Sequence, residues 1–368
     1  MFKIDYNRYH ACLYAGDMLD KVDSSIADVL KPDFKIEKTL GKDNPIKVTV
    51  IVERNGFTKQ FLADFRKSTN LRQLLQGDTS YLRAVIDRVR NNSSGHFESL
   101  TKKKYDRYYS GLACFDDFHT ILKYIFVDKG YAVDGFVDGK KVVSNLKLKV
   151  CPYCGQTYIA SVSYPRGNGE LHVARAQIDH FFPKGQYPFL ALSYANFIPS
   201  CPGCNISHKH IEDVIDKDGR LRMMSPYDFD ESKFAFQFGL KSFEKLCDEN
   251  VEVKTKFKDD TPEDRALEDG YQHILGIDKL YEYHNDIVVD ILIKKAIELT
   301  SQYLYYKEGV HINPAFLNRY VTATYGYEPD PKDDRNRIMS KFIRDIVRQV
   351  ELMVGLRIGA VSSRLLLQ

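Results

Sequence analysis

The 368-residue sequence lacks the features of a membrane or exported protein. No apolar run approaches the roughly 18 residues needed to span a bilayer, and the richest stretch, 287–299, contains Asp290, Lys294 and Lys295. The first residues do not combine a basic segment with an apolar core, as a secretory signal does. A glycine-rich phosphate loop is also lacking, so we expect no ATPase activity from this chain. These absences predict a cytoplasmic protein with no membrane partner.

The cysteine content does not indicate a disulfide framework. The chain has seven cysteines, an odd number, and four of them form two Cys-x-x-Cys pairs, Cys151/Cys154 and Cys201/Cys204. In a chain without an export signal, such pairs are better explained as metal ligands than as disulfides. The isolated cysteines are expected to be ordinary small buried residues. They are Cys12, Cys114 and Cys247.

The chain also lacks a strong overall charge. Its net charge is +3, so it is not a uniformly basic nucleic-acid binder. Basic residues outnumber acidic ones in 1–150 and in 332–368, whereas acidic residues dominate 214–331. If nucleic acid binds, the two basic ends are expected to supply much of the phosphate contact. One hypothesis for the acidic region is that it masks basic surface until activation.

The patterns divide the chain into three regions. Residues 1–148 have mixed α/β patterns and are a candidate region for binding DNA or a partner. Residues 149–214 contain the most specific motifs, and residues 215–368 are mainly helical in pattern. Near the start, 46–52 is a predicted strand, and the turn signal Asn55-Gly56 predicts a hairpin into a second strand at 57–61.

Two basic segments outside the centre could contact nucleic acid. Residues 102–109 interleave lysine and arginine with tyrosine, which suits a phosphate backbone with stacked bases, although a solvated helix face is the simpler interpretation. A helix predicted over 334–354 has a basic stripe that would lie either along DNA or on an exposed face opposite the core. The stripe consists of Arg337, Lys341, Arg344 and Arg348.

The two cysteine pairs predict one structural metal site. Four thiolates complete the tetrahedron of a zinc ion and leave no open position for chemistry. A compact zinc ribbon separates its pairs by about 15–20 residues, whereas the gap here runs from 155 to 200. We therefore expect a second site between the pairs. Residues 158–162 and 171–183 predict a β-hairpin, whose second strand carries Asp179 and His180.

The residues between and beside the pairs suit phosphodiester hydrolysis. That reaction needs a water nucleophile, a base and a cation. His180 titrates in the range of a general base, and Asp179 and Asn205 offer the hard oxygens that Mg²⁺ prefers. Because neighbours on an ideal strand face opposite ways, Asp179 and His180 need a strand end or a bulge to share a site.

These motifs resemble the HNH (ββα-metal) endonucleases in their zinc-stapled form, including the recombination endonuclease VII type. The order is Asp-His-x-x-Pro at 179–183, then Asn196, then Cys-x-x-Cys-Asn at 201–205. The resemblance implies a ββα-metal core with a structural zinc held by four cysteines. With the strand and helix patterns on either side, it predicts an α+β protein whose core is flanked by a mixed α/β N-terminal region and a helical C-terminal region. It also implies hydrolysis of DNA, double-stranded by preference, with Mg²⁺ or Mn²⁺.

The resemblance implies a role for each motif residue. His180 would be the general base, Asp179 and Asn205 would hold the divalent ion, and Asn196 would clamp the loop. The family pattern puts a lysine three residues after the third motif position; here His208 stands there and Lys209 follows. Candidate phosphate-binding residues are therefore Lys184, His208 and Lys209.

A weaker resemblance to HNH effectors of bacterial anti-phage systems implies a regulatory partner, such as a defence-system ATPase. Two alternatives stay open. One is a zinc-stabilised nucleic-acid-binding module without catalysis, and the other is a subunit whose nuclease works only when a partner releases it.

Overall fold

The fold is described from a computed structural model. The described residues are 1–40, 46–51, 56–66, 68–92, 117–132, 135–160, 162–167, 169–173, 176–241, 251–308 and 321–353. They form helices and four separate two-stranded antiparallel sheets, which confirms the α+β class. No helix in this part of the chain is long and apolar enough to cross a membrane.

The N-terminal region is a group of helices beside one small sheet. The long helix α1 (Arg8–Val29) begins where the Asn7 side chain accepts a hydrogen bond from the His10 backbone N–H. Its buried residues recur every three or four positions, which directs one face into the core. The elements that follow are β1 (Lys35–Leu40), β2 (Ile46–Ile51), α2 (Gly56–Arg66), α3 (Ser68–Gln76) and α4 (Thr79–Asn92).

The hairpin predicted at Asn55-Gly56 is wrong. Strand β2 pairs with β1, which precedes it, and Gly56 begins helix α2 instead of a second strand. Phe61, Leu62 and Phe65 explain the difference, because all three are buried at helical spacing. Burial of this apolar face outweighs the local turn preference.

The central region carries the candidate site. Helix α5 (Asp117–Leu122) continues as a π-helical segment, Lys123–Lys129, and helix α6 (Gly139–Leu146) leads to the first cysteine pair. The predicted second strand at 171–183 is divided in two. Strand β4 pairs with β3, whereas β5 pairs with β6 in a separate sheet. The elements here are β3 (Val162–Arg166), β4 (Gly169–Val173), β5 (Gln177–His180), β6 (Phe197–Ser200) and the π-helical α7 (Gly203–Lys209).

The C-terminal region contains a two-stranded sheet as well as the predicted helices. Strands β7 (Phe234–Leu240) and β8 (Val251–Phe257) alternate buried and exposed residues, so one face of this sheet enters the core. The helices are α8 (Pro262–Gly270), its π-helical continuation Tyr271–Leu275, α9 (Ile277–Glu282), α10 (Asn285–Glu308) and α11 (Ser340–Met353).

Helix α11 covers the edge of β7. The Asp345 carboxylate accepts a hydrogen bond from the Phe236 backbone N–H at 3.0 Å, and Gln349 bonds both backbone groups of Phe238 at 2.8 Å. These side chains satisfy backbone groups that an open strand edge would leave unpaired.

The prediction that the basic residues of the last helix form one surface is wrong. Lys341 and Arg344 are buried in ion pairs, whereas Arg348 is exposed. Because Arg344 bonds Asp334, which lies on the turn before α11, this part of the helix faces the interior rather than DNA or solvent.

The described residues of all three predicted regions contribute to one buried core. Direct contacts join them: the Tyr14 hydroxyl donates to the Leu192 carbonyl at 3.0 Å, and the Met339 N–H donates to the Gly155 carbonyl at 2.6 Å. Cys12 is exposed, which corrects the expectation that it is buried. Cys114, Cys247 and the basic segment 102–109 lie outside the described residues.

Candidate functional site

The four paired cysteines come together in the core. Their Sγ atoms all lie within 4.8 Å of one another, and the Sγ atoms of Cys154 and Cys201 are 4.0 Å apart. Four thiolates at about 2.3 Å from one zinc ion lie about 3.8 Å from each other. The cluster therefore could hold a metal such as zinc. Among the described residues, no other group of three or more histidine, cysteine or acidic side chains has this closeness.

The backbone around the cysteines favours bound thiolates. The backbone N–H of Gln156 points at the sulfur of Cys154, and the N–H of Cys201 points at the sulfur of Cys151, both at 3.4 Å. Burial raises the pKa of the Cys151 thiol, so its thiolate needs such donors and a cation to be stable. Gly155 turns the chain at φ +69°, where a Cβ atom would lie 2.7 Å from the Met1 nitrogen.

Asp179 lies in β5 and is almost fully buried, with 4% of its surface exposed. Its carboxylate has two donors. The Tyr153 hydroxyl donates to Oδ2 at 2.6 Å, and the Lys209 ammonium group lies 3.1 Å from Oδ2 and 3.3 Å from Oδ1. Burial, with the Asp179 charge, raises the pKa of Tyr153 well above its usual value, so the hydroxyl keeps its proton.

Asn205 lies over the same face of β5 as Asp179. Its carboxamide donates to the side chain of Gln177 at 3.0 Å. Because residues two apart on a strand share a face, Gln177 and Asp179 point to the same side of β5. Helix α7 therefore crosses this face and brings Asn205 and Lys209 to it.

The wide turn of α7 determines which residue reaches Asp179. The His210 N–H donates to the Asn205 carbonyl, five residues back, as in a π-helix. A π-turn accommodates one more residue than an α-turn. Lys209, four residues after Asn205, thereby faces Asp179, while His208 is half-exposed.

His180 is the last residue of β5 and is 3% exposed. Its Nε2 lies 3.0 Å from the Ala191 carbonyl oxygen, which can only accept, so Nε2 carries the proton. Nδ1 is then the acceptor, and it makes no hydrogen bond to any described residue. Burial and the nearby charges of Lys184 and Lys209 lower the pKa of His180 well below 6.5, so the ring is neutral at neutral pH.

Aromatic rings hold the His180 imidazole in place. The Tyr131 ring meets it edge-on at 4.4 Å between centroids, and the Phe197 ring meets it at 5.4 Å. The Lys184 ammonium lies 5.2 Å from the centre of the Tyr131 ring. Burial and the negative charge of Asp179 raise the pKa of Tyr131, and the same charge acts on Lys184. Asp179 therefore lies near the residues that surround His180.

Asn196 closes the loop between β5 and β6. It accepts from the Phe182 N–H at 2.7 Å and donates to the carbonyls of Phe182 and Leu190, both at 3.0 Å. Asn196 is fully buried. The loop that carries Lys184 is therefore anchored at two points by one side chain.

Two tyrosines at the site were not expected from the sequence. Tyr153 stands inside the first Cys-x-x-Cys pair, so its position next to a metal ligand was a usable signal. Tyr131 belongs to the N-terminal region and has no local motif around it. Only the packing of the segment after α5 against β5 brings it to His180.

Most of the site is enclosed by protein. Asp179, His180, Asn196 and Lys209 are buried. The more accessible predicted residues are Lys184, Asn205 and His208.

No protein-family model, curated protein or solved structure matches the chain. Its function therefore has to be inferred from the chemistry of its own residues.

Proposed function

We propose that this chain is a metal-dependent endonuclease of the HNH type that hydrolyses DNA phosphodiester bonds. The observation that carries the proposal is the grouping on β5, β6 and α7. Asp179 and His180 are consecutive residues of β5, and α7 carries Asn205 over the Asp179 face of that strand. The cysteine cluster joins the segments before and after them.

The geometry supports His180 as the general base. Its Nε2 is tied to a carbonyl and its Nδ1 has a free lone pair on a neutral ring. A neutral imidazole with one nitrogen fixed is suited to take a proton from an attacking water molecule. Asn196 would act by positioning, because it fixes the loop whose Ala191 carbonyl orients the imidazole.

The donor set fits a divalent ion with few protein ligands. Asp179 Oδ1 has one donor, at 3.3 Å, and the Asn205 amide group bonds Gln177 through its nitrogen, so each residue has an oxygen to offer. Such oxygens suit Mg²⁺ or Mn²⁺. When bound, the ion would neutralise charge on the phosphate and the leaving oxygen. The zinc proposed for the four cysteines would be structural.

Contacts to DNA are part of the same proposal. Lys184 is half-buried beside His180 and is the best placed cation for a phosphate. His208 stands half-exposed on α7. Lys209 is less suited, because its ammonium group is bound inside the protein. Double-stranded DNA is the proposed substrate, and a defence-system partner is proposed from the family resemblance alone.

Burial of the site favours a second candidate, a nuclease gated by a partner. A phosphodiester cannot reach Nδ1 of His180 or the Asp179 carboxylate while both are enclosed. A partner that moves α7, or the segment after α5 that carries Tyr131, would expose His180 and Asp179 to DNA. This candidate predicts cleavage only in the presence of that partner.

The test is cleavage of supercoiled plasmid by wild type, His180→Ala and His273→Ala, each with Mg²⁺, Mn²⁺ or EDTA. His273 is an exposed histidine outside the site and serves as the matched control. We expect wild type and His273→Ala to nick DNA with metal, and His180→Ala to lose at least about 100-fold in rate.

Equal cleavage by all three proteins would mean that the activity does not depend on His180, and the proposed nuclease site would be wrong. No cleavage by wild type, followed by cleavage after addition of the products of neighbouring genes, would favour the gated candidate. No cleavage in either case would favour a binding module.

A further inference from the structure

The turn that contains Cys151 and Cys154 also donates a hydrogen bond to the carboxylate of Asp179, the proposed ligand of the divalent ion. Tyr153 stands between Cys151 and Cys154, is 2% exposed, and donates its hydroxyl hydrogen to Asp179 Oδ2 at 2.6 Å. Hydrogen bonds from hydroxyl groups to carboxylates at about 2.5–2.7 Å are in the short, charge-assisted class. This hydrogen bond is therefore a strong one, and it joins the cysteine turn to Asp179.

The donors of Asp179 leave one of its oxygens less occupied. Oδ2 accepts from Tyr153 and lies 3.1 Å from the Lys209 ammonium, whereas Oδ1 has only the longer Lys209 contact at 3.3 Å. With Oδ2 held by the hydroxyl, the carboxylate plane is fixed and Oδ1 is turned away from Tyr153. A fixed plane is what a cation needs from a ligand that offers one oxygen.

We propose that Tyr153 is a positioning residue that orients Asp179 for the divalent ion and links this ion's site to the cysteine cluster. The inference rests on the proposed function. Tyr153 has no side-chain atom that binds zinc, but its backbone is shaped by the cysteines on either side. Lys209, the second donor, extends from α7, which contains Cys204. Both donors of Asp179 therefore depend on the cysteine cluster for their placement.

A second tyrosine at the same turn provides a matched control. The Tyr281 hydroxyl donates to the Cys154 carbonyl at 2.5 Å, and Tyr281 is also fully buried. Tyr281 lies on α9, and Tyr281→Phe removes a buried hydroxyl that donates to the cysteine turn without changing the Tyr153–Asp179 hydrogen bond. Tyr153→Phe removes the hydroxyl that touches Asp179. Any difference between the two variants then reports the contact with the carboxylate rather than a general effect on the turn.

The experiment measures Mn²⁺ binding by electron paramagnetic resonance in zinc-loaded wild type, Tyr153→Phe, Tyr281→Phe and Asp179→Asn. Zinc content and thermal unfolding are recorded for each protein. Loss of a side chain that orients a metal ligand costs roughly 10- to 100-fold in metal affinity. We expect that loss for Tyr153→Phe, with zinc content unchanged and with Tyr281→Phe close to wild type. Plasmid cleavage by Tyr153→Phe should then require correspondingly more Mn²⁺.

Wild-type Mn²⁺ affinity in Tyr153→Phe would overturn the inference alone, because Asp179→Asn would still mark the ion's site. Equal weakening in both tyrosine variants would also overturn it, since the integrity of the turn would then be the cause. If wild type and Asp179→Asn bind Mn²⁺ equally, no ion uses Asp179, and both the inference and the proposed divalent site fall. Mn²⁺ binding at Asp179 without cleavage under any condition would contradict the nuclease function only.

Discussion

Lys209 is a buried cation whose ammonium group is bound inside the protein. It lies 3.1 Å from the Asp179 carboxylate and donates to the His180 carbonyl at 2.8 Å, with none of its surface exposed. The sequence left open whether His208 or Lys209 takes the lysine position of the motif. The ion pair identifies Lys209 as the residue that faces Asp179. Its closest contacts, with the Asp179 carboxylate and the His180 carbonyl, stabilise the interior of the protein.

Replacement of Lys209 should therefore affect stability more than replacement of His208. Lys209→Met leaves a buried carboxylate without its cation, and we expect the free energy of unfolding to fall by about 3–5 kcal/mol. His208→Met changes a half-exposed side chain and should stay within about 0.5 kcal/mol. Urea denaturation of both variants measures the difference. Similar losses in the two variants would mean that the Lys209–Asp179 pair contributes little.

At the scale of elements, two short strands and one π-helical turn build the candidate site. The strands β5 and β6 have only four residues each, and α7 has seven. Elements this short have little stability of their own. The cysteine cluster joins the turn before β3 to the start of α7, and Asn196 closes the loop between the strands. Cross-links at both ends thus supply the rigidity that the elements lack.

Loss of one cysteine of the cluster should undo this arrangement. We expect Cys154→Ser to lose the zinc that the cluster would hold and to lower the free energy of unfolding by about 4 kcal/mol or more. Cys12→Ser is the control, because Cys12 is exposed and lies outside the cluster. Zinc is measured by atomic emission and stability by urea denaturation. A Cys154→Ser protein with full zinc and wild-type stability would exclude the cluster as a metal site.

At the scale of the whole molecule, a buried arginine joins segments that are distant in the chain. Arg344 on α11 bonds both oxygens of Asp334 at 2.7 Å and also contacts Glu231, which precedes β7. Asp334 is buried as well. The last described helix is therefore bound to the start of the C-terminal sheet through charges.

Arg344→Met should destabilise the protein strongly, because it leaves Asp334 buried without a cation. We expect the free energy of unfolding to fall by about 3–5 kcal/mol. Arg348→Met, on an exposed position of the same helix, should change it by no more than about 0.5 kcal/mol. Urea denaturation compares the two. If the two variants unfold at the same denaturant concentration, the buried pair is not a main source of stability.

The parts of the site that could be predicted are those whose chemistry is local. The two cysteine pairs predicted a metal cluster because thiolates in a tight Cys-x-x-Cys turn can share one ion, and the four sulfurs do converge. The α+β class followed from the change between strand and helix periodicity. The pairing of the strands did not follow, because 171–183 contains a break that hydrophobic pattern alone does not mark.

Chain order alone decides which reactive residues stand next to the cysteines and next to each other: Asp179 beside His180, and Asn205 beside Cys204. Long-range packing decides that Gly56 begins a helix, that Arg344 faces the interior, and that Tyr131 and Lys209 surround the site. The physical reason is that burial and pairing depend on partners many residues away. Local preferences of roughly 1 kcal/mol per residue yield to that burial.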